Sequence, residues 1–590
     1  MKFTTRRHWL ASAWQAARQR PNILWITCED LSPVLGCYGD RQARTPNLDR
    51  LARESIRYER AYATAPVCSP ARSCLITGRY AHSMGSMNLR GLIDLPAGVR
   101  CFPEMLRGAG YYTSNNVKED YNFEAPAGCW DESSATAHWR KRRAGQPFFS
   151  VFNIMGTHQG QMRYGREELA KRTQALPPEL RQDPARVEVP PYFPDTPAVR
   201  EQLAALATQV TLMDRRVGEI LGELEADGLA RETVVFFFSD HGTGLPRGKR
   251  FLHESGLRVP LLVRQPGARA GQTRRLVSFV DFAPTVLSLA GLPPAEGMQG
   301  QAFLGGQAKA ARRYVYGARD RVDEEIEMSR AVNDGQYLYI RNYMPHRPVL
   351  QHGAYSEVAA VWKELRRAER GEAGMNLRDP LLLAKQKPVE ELYDLQRDPW
   401  QQKNLAGEAR LAKRQRALEQ AMQRWMVEVR DKGLWPEAEM RRRILGPEPD
   451  EGEMRGVSAA ANGEARAGSG HVAERYWSAT QLLAGKYDEE TARQLSRDPS
   501  ASVRIAAAEA LCRNGQAEAG FRVLNEALKS MDACEQLAAV SAVYYLGAPP
   551  RYLLDTLRKA MEDKHEPTYQ FTYFRWAAEK LLGLPSTASG

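Results

Sequence analysis

Residues 21–27 read PNILWIT, and residues 28–30 continue as CED. The apolar run is short and ends in polar residues, which is typical of a parallel strand buried within a sheet. Glu29 and Asp30 follow directly at the carboxyl end of this predicted strand. In open α/β sheets, ligands bind beyond the carboxyl ends of the strands. The position of the two acids therefore favours a ligand site there.

Three further stretches show the same apolar pattern: residues 147–153, 233–239 and 259–263. His158 lies shortly after the first of them, and Asp240 and His241 directly follow the second. Helices are predicted between the strands, over residues 45–57 and 198–227. Alternating strands and helices predict an α/β fold with a doubly wound, mostly parallel sheet. We expect one edge of that sheet to collect the polar residues.

The length of 590 residues allows several domains. Residues 498–511 resemble one helical unit of a HEAT-type repeat, and Asp334-Gly335 is typical of a hairpin turn. The predicted divisions are an export signal or disordered N-terminus (1–20), a catalytic α/β domain (21–313), a small antiparallel α+β subdomain (314–435), a linker (447–470) and an α-helical HEAT-like region (471–590).

Composition narrows the classes of partner. The net charge of +11 favours an anionic partner, but no nucleic-acid motif accompanies it, so we expect no nucleic acid. No apolar run of 18 residues exists, and we therefore expect no transmembrane segment. The eight cysteines show no zinc spacing and are too few for a disulfide scaffold. Residues 6–13, RRHWLASA, resemble the start of a twin-arginine signal and favour a periplasmic or secreted location over a cytoplasmic one.

Residues 68–72 read CSPAR, a C-x-P-x-R element, and SCLITGR follows. The stretch is predicted to be a loop that leads into a helix ending at Gly78. A buried cysteine in a turn is the alternative interpretation, because short motifs also occur by chance. The adjacent acid pairs at two strand ends favour a functional site, since three carboxylates and an imidazole suit a hard divalent cation.

Over roughly residues 20–435 the chain resembles the type I sulfatases of the alkaline phosphatase superfamily. The matching elements occur in the family's order: residues 21–30, 45–49, 68–72, 110–113 before Lys118, His158, 239–242, 248–249 before Glu254, 258–260 and 392–395. Residues 190–197, PPYFPDTP, followed by Arg200, are similar to the sulfamidase (heparan N-sulfatase) branch.

The resemblance implies that Cys68 is oxidised to formylglycine by a formylglycine-generating or sulfatase-maturing enzyme. The hydrated aldehyde would attack sulfur with one oxygen and use the second to expel the sulfate later. Glu29, Asp30, Asp240 and His241, together with the modified Cys68, would bind Ca²⁺, with Mn²⁺ or Mg²⁺ as alternatives.

The resemblance also implies roles for four further residues. Arg72 would hold the formylglycine hydroxyl, and Lys118 would neutralise the nucleophile and the sulfate. Lys249 would hold sulfate oxygens, and His158 would protonate the leaving atom as a general acid.

The sequence departs from the family pattern at three positions. The first acid pair is Glu29-Asp30 where the family usually has two aspartates. His241 stands where asparagine is common, and it is a softer ligand than calcium prefers. Asp120 stands where many members have a histidine that helps to eliminate sulfate, and it could act as that base or bind substrate. The substrate-side candidates are Arg90, His253, Arg258, His346, Arg347 and His352.

These observations predict hydrolysis of sulfate esters or sulfamates on a sulfated carbohydrate. Two alternatives remain at this point. A phosphonate or phosphodiester hydrolase of the same superfamily would use a similar metal site. A protein whose Cys68 stays unmodified would bind a sulfated glycan without cleaving it.

Overall fold

The computed structural model describes residues 20–589 except 164–165, 175, 373–376, 378–379, 445 and 563–566. The predicted twin-arginine stretch, residues 6–13, lies outside the described residues. None of the described helices combines the length and the apolar composition needed to cross a membrane.

The strands, in chain order, are β1 (Asn22–Cys28), β2 (Ile56–Tyr62), β3 (Tyr112–Asn116), β4 (Glu132–Ser133), β5 (Phe148–Ile154), β6 (Thr233–Ser239), β7 (Arg258–Val259), β8 (Leu261–Arg264), β9 (Gly271–Ser278), β10 (Val315–Arg319), β11 (Ser329–Asn333), β12 (Tyr337–Asn342) and β13 (Glu390–Asp394).

The α-helices are α1 (Pro46–Arg53), α2 (Cys68–Thr77), α3 (Ala81–Met84), α4 (Phe102–Gly108), α5 (Arg166–Thr173), α6 (Pro197–Ala226), α7 (Glu254–Leu257), α8 (Phe282–Leu289), α9 (Ala360–Glu369), α10 (Ala412–Glu428), α11 (Glu437–Arg443), α12 (Glu451–Ala459), α13 (Val472–Leu483), α14 (Glu489–Leu495), α15 (Ala501–Arg513), α16 (Ala517–Leu528), α17 (Ala533–Leu546), α18 (Arg551–Glu562) and α19 (Tyr569–Leu582).

The main sheet has the strand order β4-β3-β5-β1-β6-β8-β2-β7, and β9 pairs with β2. Strand β1 lies between β5 and β6 and is parallel to both. Strand β8 is antiparallel to β6 and β2, and β7 is antiparallel to β2. The prediction of a mostly parallel α/β sheet is therefore confirmed, with an antiparallel part on the β8 side.

Helices cover both faces of this sheet, which explains why β1 is apolar at consecutive positions rather than at alternate ones. On one face the Trp25 ring makes edge contacts with Phe149 and Phe238, with ring centroids 5.1 and 5.2 Å apart. On the other face Leu24 belongs to the same buried cluster as Val210 of helix α6. Burial on both faces holds the ends of β1 and β6 in fixed positions.

A second, antiparallel sheet has the order β10-β11-β12-β13. The predicted hairpin is confirmed, because β11 and β12 pair in register from Asn333 with Leu338 outward. Gly335 has a φ of 86°, which favours glycine, and its amide donates to Asn333 Oδ1 at 2.6 Å.

Residues 447–470, predicted to be a linker, instead contain a helix that is partly buried. This segment contains helix α12, whose Met454 and Val457 are buried against the main core. Asp450 caps the helix by accepting from the Glu453 amide at 2.8 Å. The apolar residues lie three apart and so share one helical face, while the surrounding small and acidic residues gave the segment the composition of a linker.

The helices from α13 onward form a helical region that packs against the rest of the chain. The Trp477 indole donates to the Leu434 carbonyl at 2.9 Å, and Arg347 forms two hydrogen bonds with Glu509, at 2.9 and 2.8 Å. The stretch that resembles a HEAT unit forms helix α15, while a HEAT-type repeat across the region stays a prediction.

Candidate active site

The two acid pairs meet because β1 and β6 are parallel neighbours. Cys28, the last residue of β1, pairs in register with Ser239, the last residue of β6. The chain beyond each strand therefore leaves the same sheet edge side by side. The Asp30 amide donates to Asp240 Oδ1 at 3.0 Å, and this hydrogen bond joins the two loops.

Helix α2 presents Cys68 to this edge. Val67 before it is extended, so Cys68 is the first residue of the helix and lies at its positive end. Pro70 is tolerated in the first turn, where backbone amides lack helical partners anyway. Gly78 ends the helix with a φ of 67°. The predicted helix is thus confirmed, and it begins at the cysteine itself.

Cationic groups surround Cys68, whose side chain is buried. Its Sγ lies 3.3 Å from His241 Nε2, 3.4 Å from Lys249 Nζ and 3.8 Å from Asp30 Oδ1. Burial by itself favours the neutral thiol, but the charges of Lys118 and Lys249 lower the pKa of Cys68 well below its usual value. An anionic oxygen at this position would be stabilised in the same way.

Asp30 lies at the centre of the cluster. Lys249 Nζ donates to its two oxygens at 2.9 and 3.1 Å, and the Gln159 amide donates to Oδ2 at 2.7 Å. His241 Nε2 lies 3.0 Å from Oδ1. Burial opposes the charged carboxylate, yet the charges of Lys249 and His241 keep the pKa of Asp30 well below its usual range. Asp30 is therefore ionised.

Glu29 connects two cationic residues of the site. It accepts one hydrogen bond from Arg72 and one from Lys118, at different carboxylate oxygens. Arg72 is further held by Asn153 Oδ1 at 2.9 Å. Lys118 Nζ also lies 3.6 Å from the carboxylate of Asp120, which is partly exposed. Glu29 thus fixes the positions of both cationic side chains, and its Oε1 and Oε2 are both engaged.

His158 lies beside this cluster and is half-buried. Ligand atoms of Glu29, Asp30, Cys68 and His158 all lie within 4.8 Å of one another. The Gly160 amide donates to His158 Nδ1 at 3.1 Å, so Nδ1 is an acceptor and the proton of the neutral ring sits on Nε2. Nε2 is therefore the ring nitrogen left to exchange a proton with a group bound at the site.

The donor set fits a divalent cation. Ligand atoms of Asp30, Cys68, Asp240 and His241 lie within 4.8 Å of one another, and all four residues are buried. Asp240 Oδ2 has no hydrogen-bond partner among the described residues. Burial and the charge of Glu29 raise the pKa of Asp240 to about 7, although Arg72 Nε lies 3.5 Å from Oδ2, so the cations present compensate the carboxylate only in part. His241 Nδ1 donates to the Gly242 carbonyl at 2.9 Å, which leaves Nε2 as a ligand atom.

Comparison with known proteins identifies the family. The sulfatase family model matches residues 21–292, and the model described as N-sulphoglucosamine sulphohydrolase, C-terminal, matches residues 246–347. An ulvan-active sulfatase of Formosa agariphila is 38% identical in an alignment of length 461 that covers 72% of this chain and 77% of that protein. The chain belongs to the sulfatase family.

A second relative agrees with this assignment, and a solved structure shares the fold. Human N-sulphoglucosamine sulphohydrolase is 28% identical, over 70% of this sulfatase and 91% of that protein. The solved structure of BT4656 in complex with its substrate D-glucosamine-2-N,6-O-disulfate has a TM-score of 0.51 at 19% identity, covering 70% of this chain and 98% of that one, and so shares the fold. This sulfatase is a sulfuric ester hydrolase that acts on sulfate esters or sulfamates.

The predicted substrate residues of this sulfatase lie in three places. The Arg90 amide donates to Ser69 Oγ at 3.2 Å, so Arg90 is next to the first turn of helix α2. Buried His253 lies 3.6 Å from Glu391. Arg258 Nε donates to the Glu59 carbonyl at 2.9 Å. These last two contacts are structural and lie outside the cluster around Cys68.

His346, Arg347 and His352 lie on the side of the helical region. Arg347 is paired with Glu509, as described above, and His352 Nδ1 lies 3.0 Å from Glu357. Burial lowers the pKa of His346 well below its usual value. The structure does not bring these three residues into the cluster around Cys68, and this placement lends no support to a substrate role.

Asn153 and Thr157 belong to the site, although sequence reasoning gave neither of them a role. Asn153 ends the predicted strand 147–153 and accepts from Arg72, while its amide group donates to Asn115 at 3.0 Å. The Thr157 hydroxyl donates to the Glu29 carbonyl at 2.5 Å. A strand-end position was the available signal for Asn153, whereas nothing in the local sequence distinguishes Thr157.

Gly242 allows the loop after His241 to approach helix α7 closely. A Cβ at this position would lie 1.9 Å from the Ser255 carbonyl oxygen, and the Gly242 amide donates to the Gly256 carbonyl at 2.8 Å. We expect Gly242→Ala to lower the free energy of unfolding by about 2–3 kcal/mol, because backbone would have to shift. Thermal unfolding measures this change.

Gly222→Ala is the matched control for that measurement. Gly222 lies within helix α6, and a Cβ there would meet nothing within 4 Å. Alanine stabilises an open helical position by roughly 0.5–1 kcal/mol, so the melting temperature should stay constant or rise. Equal melting temperatures for wild type and Gly242→Ala would contradict the close approach.

Proposed function

We propose that this sulfatase removes sulfate from a sulfated carbohydrate, as an O-sulfate ester or as the N-sulfate of a glucosamine. The observation that carries the proposal is the position of Cys68 Sγ, 3.3 Å from His241 and 3.4 Å from Lys249, beside the buried acids. The ulvan-active and N-sulphoglucosamine relatives support a carbohydrate substrate. The net charge of +11 suits a polyanionic one.

A formylglycine formed from Cys68 would supply the nucleophilic oxygen. Around it the chain's own residues provide positive charge. Burial opposes the charged form of the Cys68 thiol, but Lys118 and Lys249 lower its pKa, and both lysines would hold sulfate oxygens. Arg72 would hold the nucleophile's hydroxyl, since Glu29 and Asn153 fix its guanidinium in place. Positioned charge of this kind stabilises the transition state without reorganisation during the reaction.

His158 would act as the general acid. A ring nitrogen of His158 lies within 4.8 Å of ligand atoms of Glu29, Asp30 and Cys68. Protonation of the leaving oxygen or nitrogen by a positioned side chain contributes about 10²–10⁴ to the rate. A sulfamate needs this proton as much as an ester does, because an amine leaves poorly as its anion.

Asp30, Asp240 and His241 would hold the divalent cation, together with the modified residue 68. When bound, the ion would act as a Lewis acid that polarises a sulfate oxygen. The carboxylate ligands suit Ca²⁺, and the imidazole of His241 makes Mn²⁺ the alternative. Glu29 completes the acid set but is engaged by Arg72 and Lys118.

We propose Asp120 as the base that assists sulfate release. It has a φ of 51°, a conformation that non-glycine residues rarely adopt, and its carboxylate lies 3.6 Å from Lys118 Nζ. We expect Asp120→Asn to lower kcat by about 10²-fold with a smaller change in KM. Steady-state kinetics with an aryl sulfate measure this. A raised KM with unchanged kcat would assign Asp120 to substrate binding instead.

We further propose that a formylglycine-generating or sulfatase-maturing enzyme acts on Cys68 before folding is complete. Cys68 is 4% exposed and starts a helix whose residues are all buried, so a folded chain would not admit a second enzyme. The twin-arginine-like residues 6–13 favour a periplasmic or secreted location. A reporter fused to this segment would test export.

The deciding experiment is turnover by protein produced together with a maturing enzyme. Mass analysis of the peptide containing Cys68 first establishes the conversion to the lighter aldehyde. The protein is then assayed on heparan and chondroitin sulfate saccharides, N-sulfoglucosamine, an aryl sulfate and a phosphonate monoester. Release of sulfate from a saccharide supports the proposal. Turnover of the phosphonate alone, or binding of saccharide by an unmodified and inactive protein, would contradict it.

A further inference from the structure

The last α-helix of the helical region lies against the loop that follows helix α3. Helix α19 places Tyr569 and Tyr573 one turn apart, with ring centroids 6.3 Å from each other. The Tyr569 ring lies under the guanidinium of Arg90 at 5.6 Å, and the Tyr573 ring lies under that of Arg321 at 5.1 Å. One face of α19 therefore contacts two arginines of the catalytic part of the chain.

The two arginines differ in what else they bind. Arg321 donates from two nitrogens to the Glu437 carboxylate and from a third to the Asp323 carbonyl, so its donors are used inside the protein. The Arg90 guanidinium makes no hydrogen bond or ion pair with any described residue, although it is only partly exposed. Its donors are free to bind a ligand.

Arg90 lies close to the reacting position. Its backbone amide donates to the hydroxyl of Ser69, the residue next to Cys68, at 3.2 Å. Its φ of 52° is strained for a non-glycine residue, and such conformations occur often where a side chain must be aimed at a ligand. Burial opposes the charged form of Arg90, but the neighbouring Tyr573, Asp120 and Asp323 raise its pKa above the usual value, so the guanidinium stays charged.

We propose that Arg90 binds a second anionic group, a sulfate or a carboxylate, on the saccharide being desulfated, and that Tyr569 positions it. A guanidinium can bind either group through two parallel hydrogen bonds. The aromatic ring beneath restricts its rotamers, so less entropy is lost when the ligand binds. The helical region thereby takes part in substrate selection. The inference rests on the proposed function, because it names a further contact of that substrate.

The test compares a substrate that has a second anion with one that lacks it. For Arg90→Gln and Tyr569→Ala we expect KM for glucosamine N,6-O-disulfate to rise about tenfold more than KM for a monosulfated aryl ester. Tyr569→Phe keeps the ring and should restore the wild-type ratio. Uronate-containing monosulfated disaccharides form a second arm, which separates a carboxylate ligand from a sulfate ligand.

Tyr552→Ala is the matched control, because Tyr552 is also a tyrosine of the helical region and is 44% exposed, against 42% for Tyr569. It should leave the ratio of the two KM values unchanged. Parallel changes in both KM values, or none, for Arg90→Gln would overturn the proposal.

A binding measurement separates this inference from the proposed function. Calorimetric titration of disulfated glucosamine into the Cys68→Ser protein, with and without Arg90→Gln, needs no turnover. We expect Kd to be about tenfold higher with Arg90→Gln. Equal Kd values would reject the subsite even if the enzyme is an active sulfatase, and a difference would support it even if the assayed esters are not cleaved.

Discussion

Cys68→Ala is expected to lower kcat by about 10⁴-fold or more, as removal of a nucleophile does in other covalent enzymes. The reason is that the side chain of Cys68 lies between Lys249 and His241, where the oxygen of a formylglycine could attack the sulfate. The hydroxyl of the neighbouring Ser69 accepts a hydrogen bond from the Arg90 amide, so we do not expect it to replace Cys68 as the nucleophile. Initial rates with an aryl sulfate, measured on protein produced with a maturing enzyme, test the expectation.

Cys74→Ala is the control, because Cys74 is a second buried cysteine in the same helix. Burial raises the pKa of the Cys74 thiol to about 12, whereas the surrounding cations lower that of Cys68. Alanine at this position removes one sulfur atom from the core and should cost about 1 kcal/mol of stability without changing kcat. If Cys68→Ala kept most of the activity, the nucleophile would have to be another group.

Removal of the divalent cation is expected to lower kcat by more than about 10²-fold and to destabilise the fold. Asp30 and Asp240 lie buried and close together, and the repulsion between the two carboxylates is offset only in part by Lys249, Arg72 and His241. A cation present at a hundredfold excess over its Kd stabilises the folded state by about 2.7 kcal/mol. Chelation should therefore lower the melting temperature, and added Ca²⁺ should restore it together with activity.

Asp30→Asn should abolish both the fall in melting temperature on chelation and its recovery with Ca²⁺, since it removes the carboxylate at the centre of the cluster. The matched control is Asp214→Asn, which alters a buried carboxylate elsewhere. Asp214 accepts from the Leu48 amide at 2.8 Å and, at its other oxygen, from the Asn47 amide at 3.1 Å. Asp214→Asn therefore should lower the melting temperature but leave the effects of chelation and of added Ca²⁺ in place. A thermal shift by Ca²⁺ that survives Asp30→Asn would contradict the assignment, and a larger shift by Mn²⁺ would favour Mn²⁺ as the resident ion.

The order of strands and helices in the catalytic part could be predicted because its pattern is local. The apolar run of β1 and the acids that follow it are contiguous, so one stretch of sequence predicts both the strand and the site residues. The same reasoning failed for residues 447–470, where composition indicated a linker and the chain forms helix α12. Burial of Met454 and Val457 depends on neighbours distant in sequence, which composition does not contain.

The residues of the candidate site could be predicted from motifs and strand ends: Cys68, Lys118, His158 and Asp240 converge because parallel strands deliver their carboxyl ends to one edge. The sequence did not indicate that Glu29 would connect Arg72 with Lys118, or that Tyr569 would lie under Arg90. Such contacts join residues 40 to almost 500 positions apart, and they form only when whole elements pack. Local patterns thus specify which side chains form the candidate site, whereas packing of the helical region specifies that Tyr569 lies beside Arg90.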